Sequence, residues 1–380
     1  MKKRKNKNKN SFIVVIVLLC LSLLVYFLLP KPNCSLSSLE KRAVWLTYQD
    51  LSELSYESEK DFQDGFQNMI KKIKEYQCNT MIVHVRPFSD ALYFSEVYPM
   101  SQVVAHRNSV SFDPLQVMVK MAHKEGLNIE AWINPYRISL NEKTYNQFVQ
   151  NSKYEKWLGD SQTTIHYGEY QYIFNPASQK VRDLIVDGVE EIVRNYDIDG
   201  IHFDDYFYIP KTHGDTTVEE RQENVNLLIQ DVYQSIKTIR KDVAFGISPQ
   251  GNYENCIDDG ADIDLWLKEE GFIDYLMPQI YWSNQYGKDG NTKMFSERTE
   301  KFAKLKRHKN IKLYVGLALY QAGQSLEYDQ GWKNSIDNIS EQVQILYNYG
   351  YDGYSLFRYG SLIKEEGQKE MDELLRNHPN

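Results

Sequence analysis

Residues 199–208 read DGIHFDDYFY, and residues 128–136 read NIEAWINPY. Both alternate. Ile201 and Phe203 make one apolar phase, with His202 and Asp204 in the other. Ile129, Ala131 and Ile133 likewise oppose Glu130, Trp132 and Asn134. In a barrel one strand face meets the surrounding helices and the other faces the lumen. A purely structural lumen favours bulky aliphatic residues. Here polar and ionisable groups enter it, near the strand C-termini where barrel chemistry is assembled.

Similar strands recur along the chain. They are predicted over 42–47, 80–87, 128–136, 200–206, 244–249, 273–282, 312–320 and 353–359. Helical patterns alternate with them, near 60–76, 113–123, 179–196, 218–239, 263–270, 297–307, 340–349 and 363–375. Asp113–Pro114 is a cap followed by proline at the first helical position, and Gly126 closes that helix. Eight strand–helix units in order predict one α/β domain, a closed (β/α)8 barrel over 40–375, with a doubly wound open sheet as the alternative. An excursion over 137–177 leaves the end of the third strand and is expected over the cleft.

The chain opens MKKRKNKNKN, with six Lys and Arg and no acid, and continues into an apolar run from Phe12 to Leu29. Those eighteen residues, at ~1.5 Å each, make ~27 Å of helix, about one thin hydrocarbon core. The prediction is a basic cytoplasmic tail over 1–11, a transmembrane signal-anchor over 12–29, a short linker over 30–39, and a barrel outside the cytoplasm. This places the protein in the cell membrane as a single-pass chain. A cleaved signal peptide is the competing reading and yields a secreted domain, although no small-x-small site precedes Pro30–Lys31–Pro32.

Residues 1–34 hold seven basic and no acidic residues within a chain of net charge −8, leaving −15 for the remainder. That excludes a phosphate-backbone binder, so no nucleic-acid partner is expected. The chain carries 28 Tyr, 16 Phe and 6 Trp, a richness that suits both core packing and stacking on sugar rings. Cys34, Cys78 and Cys256 fit neither a disulfide framework nor a zinc motif.

Asp204 and Asp205 close the fourth strand. Two adjacent carboxylates disfavour joint ionisation, so one retains a proton near neutrality. A protonated carboxyl beside an ionised one is the equipment of glycosidic cleavage. The bland alternative is a solvated pair at a loop start. Asp204 is the first candidate; the second carboxylate is Asp205, ahead of Glu130 and Glu327. Glu130 can instead be structural, with Arg86 as its charge partner. His84, Arg86 and Asn134 read as substrate-positioning groups. His202 reads as a proton-transfer group or as a hydrogen-bonded support. Trp132, Gln279, Tyr281 and Trp282 form an amide-and-aromatic set suited to sugars, and Arg358 shares a phase with Tyr354 and Leu356. No compact metal motif and no nucleotide fingerprint is present, so neither metal nor cofactor is expected.

RAVWLT, HVRPFSDALYFSEVYP, AWINPYRI, the 199–210 segment and DYLMPQIYW together resemble the glycoside-hydrolase-like family 10 domain, the YngK-like family. The resemblance covers about 40–360, with its motifs in order. It implies an exported or envelope-attached barrel associated with bacterial cell-wall glycan, including glycan stripped of peptides. It also implies Asp204 and Asp205 as the acidic centre, and Arg86, Asn134 and Tyr281 as cleft residues. One departure is Ile209 before Pro210. The expected function is a membrane-anchored glycoside hydrolase of an envelope polysaccharide, foremost peptidoglycan glycan strands. Alternatives are a non-catalytic glycan-binding scaffold and, further off, a metal-dependent deacetylase.

Overall fold

The computed structural model describes residues 34–107 and 109–379. The described strands, in chain order, are β1 (Lys41–Leu46), β2 (Thr80–Arg86), β3 (Asn128–Ile133), β4 (Arg137–Ser139), β5 (Thr164–Gly168), β6 (Gln171–Phe174), β7 (Gly200–Phe203), β8 (Ala244–Ile247), β9 (Tyr275–Leu276), β10 (Lys312–Leu317) and β11 (Gly353–Leu356). Strands β4, β6 and β5 form a small antiparallel sheet within the 137–177 excursion. The other eight close a parallel barrel, β1-β2-β3-β7-β8-β9-β10-β11 and back to β1.

Helices follow the local signals. Asp113 accepts from the Gln116 amide, and Pro114 opens Pro114–Lys124. Thr217 and Glu220 exchange a capping box ahead of Val218–Ile239. In Glu59–Glu75 the buried residues are Phe62, Phe66, Met69, Ile70 and Ile73, one stripe at helical spacing. The strand predicted over 273–282 is interrupted: its ladder stops at Leu276 and resumes as single bridges from Gln279 to Gln250 and Gly316. Pro278 lies in the gap and has no N–H to give a ladder.

Glycines make room for the lumen's large side chains. A Cβ on Gly246 would stand 2.0 Å from the Tyr275 ring, and one on Gly316 2.7 Å from the Trp45 indole. Tyr275 and Trp45 therefore lie across the lumen, in a cluster with Ala43, Ile82, Trp132, Met277 and Tyr314. Lys41 crosses the same space, its ammonium 3.9 Å from the centre of the Tyr275 ring, and pairs with Glu130. Tyr275 also donates its hydroxyl to Glu130 at 2.5 Å. The cost of burying that carboxylate is offset by a cation and a donor.

The charge partner of Glu130 is therefore Lys41, not Arg86. A register irregularity between His84 and Arg86 turns the arginine out of the expected phase. Its guanidinium donates to the Tyr98 hydroxyl at 2.5 Å and to the Asn134 and Pro135 carbonyls at 3.2 Å each. The last strand also departs from the expected phase. Register pairs Ala43 with Ser355 and Gly316 with Ser355, so Ser355 shares the lumen phase and Tyr354 and Leu356 face the other way.

The expectation of a membrane-anchored barrel is corrected. Among the described residues no helix is long and apolar enough to cross a membrane. The tail over 1–11, the span over 12–29 and the first linker residues lie outside the described residues. The fold class that stands is the closed barrel alone. Neither the single-pass membrane localisation nor the membrane as a partner is supported.

Candidate active site

Where β7 ends, the chain continues into Asp204 and Asp205, and both line a cavity of 300 Å³ at the barrel mouth. Asp204 continues the inward phase of His202. Its Oδ2 accepts from Asn134 Nδ2 at 2.9 Å and from Trp132 Nε1 at 3.2 Å, and the Arg137 guanidinium lies 3.9 Å away. Asp205 reaches the same cavity because the strand has ended and strict alternation with it. It has a weaker neighbour, the Gln279 amide at 3.4 Å.

These surroundings separate the two acids. Burial raises the pKa of Asp204, while Arg137, Asn134, the Tyr206 N–H and Trp132 pull it back. Asp205 is pushed up to about 7, by burial first and then by the negative charge of Asp204. Asp204 thus has more neighbours that favour its ionised form than Asp205 has, and the charge of Asp204 in turn favours the protonated form of Asp205.

His202 is committed elsewhere. Trp45 Nε1 lies 3.2 Å from its Nε2, and the Tyr275 hydroxyl lies 2.8 Å from its Nδ1. An indole N–H only donates, so Nε2 must accept. The Tyr275 proton goes to Glu130. Nδ1 therefore carries the imidazole proton and donates to Tyr275, an assignment made from the network. Burial holds His202 neutral, with pKa well below the usual histidine range. With both nitrogens engaged it is a support.

His84 is different. Its ring stacks on Trp132 at 3.6 Å and 9°, it lines the cavity, and neither ring nitrogen has a hydrogen-bond partner. Burial, reinforced by Arg137, His202 and Arg86, holds it neutral. The Ser248 and Tyr281 hydroxyls line the same cavity and are likewise buried without partners. Buried polar atoms normally carry partners, so three such residues around one cavity mark places for ligand groups. Trp45, Tyr48, Trp132 and Phe357 supply apolar surface between them.

The candidate residues from the sequence divide accordingly. His84, Trp132, His202, Asp204, Asp205, Gln279 and Tyr281 come together around the cavity. Asn134 touches it through Asp204. Glu130 does not line it, since its carboxylate is held by Lys41 and Tyr275. Arg86 is buried behind the Asn134 and Pro135 carbonyls. Trp282 and Glu327 line an adjoining cavity. Arg358 is drawn to Thr47 and Asp50, at 3.0 and 2.9 Å, while its neighbour Phe357 takes the wall position.

Sequence reasoning did not single out Trp45, Tyr48, Arg137, Tyr206, Ser248 or Phe357. Arg137 packs on the Tyr206 ring at 4.0 Å, and its N–H is held by Asn134 Oδ1 at 3.1 Å. The available signal was position: each follows or ends a barrel strand. The excursion contributes Arg137 and Leu140 to the cavity wall. A larger cavity of 730 Å³ lies away from the carboxylates, between residues 93–100 and the helix Gln179–Asn195.

Among the described residues, His213, Asp258 and Asp259 lie close enough together to share a cation. Arg221 already pairs with Asp258 at 2.8 Å, and His213 and Gln250 each bond Asp259 at 2.8 Å. The donors are satisfied within the protein, so they do not fit a metal centre.

A closed (β/α)8 barrel with two carboxyl groups of unequal proton affinity at its strand exits defines a protein of the glycoside-hydrolase kind. The chain belongs to the glycosyl hydrolase-like 10 family, whose model matches residues 40–220 and 215–334. It is 30% identical over 348 residues to glycosyl hydrolase YngK of Bacillus subtilis strain 168, a match covering 80% of this chain and 65% of that protein. It is 28% identical over 362 residues to glycosyl hydrolase DigH of Escherichia coli strain K12, covering 81% of this chain and 79% of that one. Its fold is similar to a glycoside hydrolase family 18 N-acetylglucosaminidase from Paenibacillus barengoltzii, with TM-score 0.53, 11% identity, and coverage of 89% of this chain and 99% of that one.

Family membership supports a catalytic glycosidase role. The expected specificity is corrected. Nothing in the site or in these relatives singles out peptidoglycan strands or another envelope polysaccharide. A glycan remains the class of partner that the relatives support.

Proposed function

We propose that this site hydrolyses an O-glycosidic bond. Asp205 donates its proton to the glycosidic oxygen as the bond from that oxygen to the sugar's anomeric carbon breaks. The ionised Asp204 supplies the negative charge that an oxocarbenium-like centre requires. Water adds its oxygen to the anomeric carbon and returns a proton to the carboxyl pair, so the acid is regenerated. Trp132, Asn134 and Arg137 keep Asp204 charged and oriented. His84, Ser248 and Tyr281 hold sugar hydroxyls, and the surrounding aromatic rings meet the C–H faces.

One observation carries this reading: neighbouring aspartates share one cavity, and only one of them is surrounded by strong donors. The test is incubation with chemically distinct neutral and charged oligosaccharides in ¹⁸O-labelled water. Mass spectrometry should find new reducing ends carrying one ¹⁸O at the anomeric carbon, and none with Asp204→Asn. Binding without cleavage by the folded wild-type protein would contradict the proposal and make the barrel a glycan receptor.

A further inference from the structure

A second cavity of 230 Å³ adjoins the catalytic one and shares Tyr281 with it as a common wall. The loops after β9 and β10 build it, and Asp329 clasps them together. That carboxylate is buried and accepts from the Ser283 amide at 3.0 Å, the Ser283 hydroxyl, and Trp332 Nε1 at 3.2 Å. Gly287 adds a backbone bond to the Tyr328 carbonyl at 2.8 Å. The cavity is therefore framed by fixed backbone.

Beside the shared Tyr281, its lining combines the rings of Trp282, Tyr286 and Tyr328 with the side-chain amide of Gln321. Gln321 is 8% exposed and gives its amide N–H groups to the Tyr281 carbonyl at 3.3 Å and the Tyr320 hydroxyl at 2.9 Å. Its Oε1 is buried and accepts nothing. A buried acceptor without a donor points to a ligand donor. Glu327 adds an exposed carboxylate, and no cation lines the cavity.

We infer that this cavity is a second sugar-binding subsite, taking the next residue of a neutral oligosaccharide that extends past Tyr281 from the bond being cleaved. The inference rests on the glycosidase reading of the first cavity. A ring packed against Trp282, Tyr286 and Tyr328 presents hydroxyl donors to Gln321 Oε1. The carboxylates of Glu327 and Asp329 disfavour uronates and other anionic sugars at this position. Chain length and charge are thus read here, apart from the bond-breaking acids.

The test uses linear oligosaccharides of two to six units from whichever linkage class the wild type cleaves, with kcat/KM measured against length. Tyr328→Ala and Gln321→Leu are the variants, with thermal melts confirming their folding; Tyr328 is 42% exposed and contributes little to the core. Wild type should gain about tenfold on lengthening past the first subsite, the scale of one aromatic contact plus a hydrogen bond. Both variants should lose that gain while cleaving the shortest substrate at the wild-type rate. An unchanged length dependence in both folded variants would overturn the subsite and leave the catalytic reading intact. No cleavage of any oligosaccharide by the wild type would overturn the catalytic reading and this inference with it.

Discussion

Asn134 donates its side-chain N–H to Asp204 Oδ2 at 2.9 Å, from the segment just past β3 to the segment just past β7. The bond favours the ionised form of Asp204 and fixes which oxygen is occupied. Asn134→Ala removes that donor and raises the Asp204 pKa further. The acidic limb of the kcat/KM profile should move to higher pH, with a loss of about 10- to 100-fold at its optimum, the value of a hydrogen bond to a charged group. A pH profile of the folded variant checks this. A uniform loss without displacement of the limb would make Asn134 structural only.

Asp205 gives a second signature. With its pKa pushed up to about 7, it keeps its proton below that pH and loses it above. Activity dependent on the acid should fall as pH rises through about 7. Stability follows the same sign. A raised carboxyl pKa contributes stability that is full below the unfolded pKa and disappears as pH rises through the folded one. Asp205→Asn escapes that loss, so its melting temperature should exceed that of wild type by about 6 °C at pH 8 and match it near pH 4. Equal melting at both pH values would contradict the proton assignment.

Glu130 and Lys41 form a buried pair in the lumen. Glu130→Gln leaves the ammonium without its counter-charge and should cost about 3–5 kcal/mol of stability. Denaturant melts measure that cost. Turnover per folded molecule should stay within about threefold of wild type, whereas loss of a positioned acid or base costs ~10² or more. Kinetics on protein kept folded at low temperature distinguishes the two roles.

His84 presents two unpartnered ring nitrogens to the cavity. His84→Phe preserves an aromatic stack on Trp132 and removes both polar atoms. KM should rise about tenfold, the scale of one or two lost hydrogen bonds. Steady-state kinetics with the shortest cleaved substrate reads this. An unchanged KM would remove His84 from substrate contact.

Eight alternating units and the barrel were legible because period-two strands and capped helices are local signals. The side chains facing inward were legible wherever alternation ran without interruption, as at Trp132, His202 and Asp204. It failed at Arg86, where the register shifts, and at Arg358, one residue from the wall position held by Phe357. Lys41 was passed over because its partner lies 89 residues away in sequence, a contact only barrel closure makes. Alternation does not set the direction of Asp205, because the strand ends before it. The membrane span expected over 12–29 lies outside the described residues, and among those no helix is long and apolar enough to cross a membrane.

The central claim is that Asp205 protonates the leaving oxygen while Asp204 remains charged. Its most direct test is the rate of Asp205→Asn across aryl glycosides of the cleaved sugar, chosen to span leaving-group pKa. Good leaving groups depart without a proton; poor ones require the acid. The variant should lose at least ~10² on the poorest leaving groups and less than ~10-fold on the best, with wild type nearly flat across the series. An equal loss across the whole series, or no loss at all, would contradict the account.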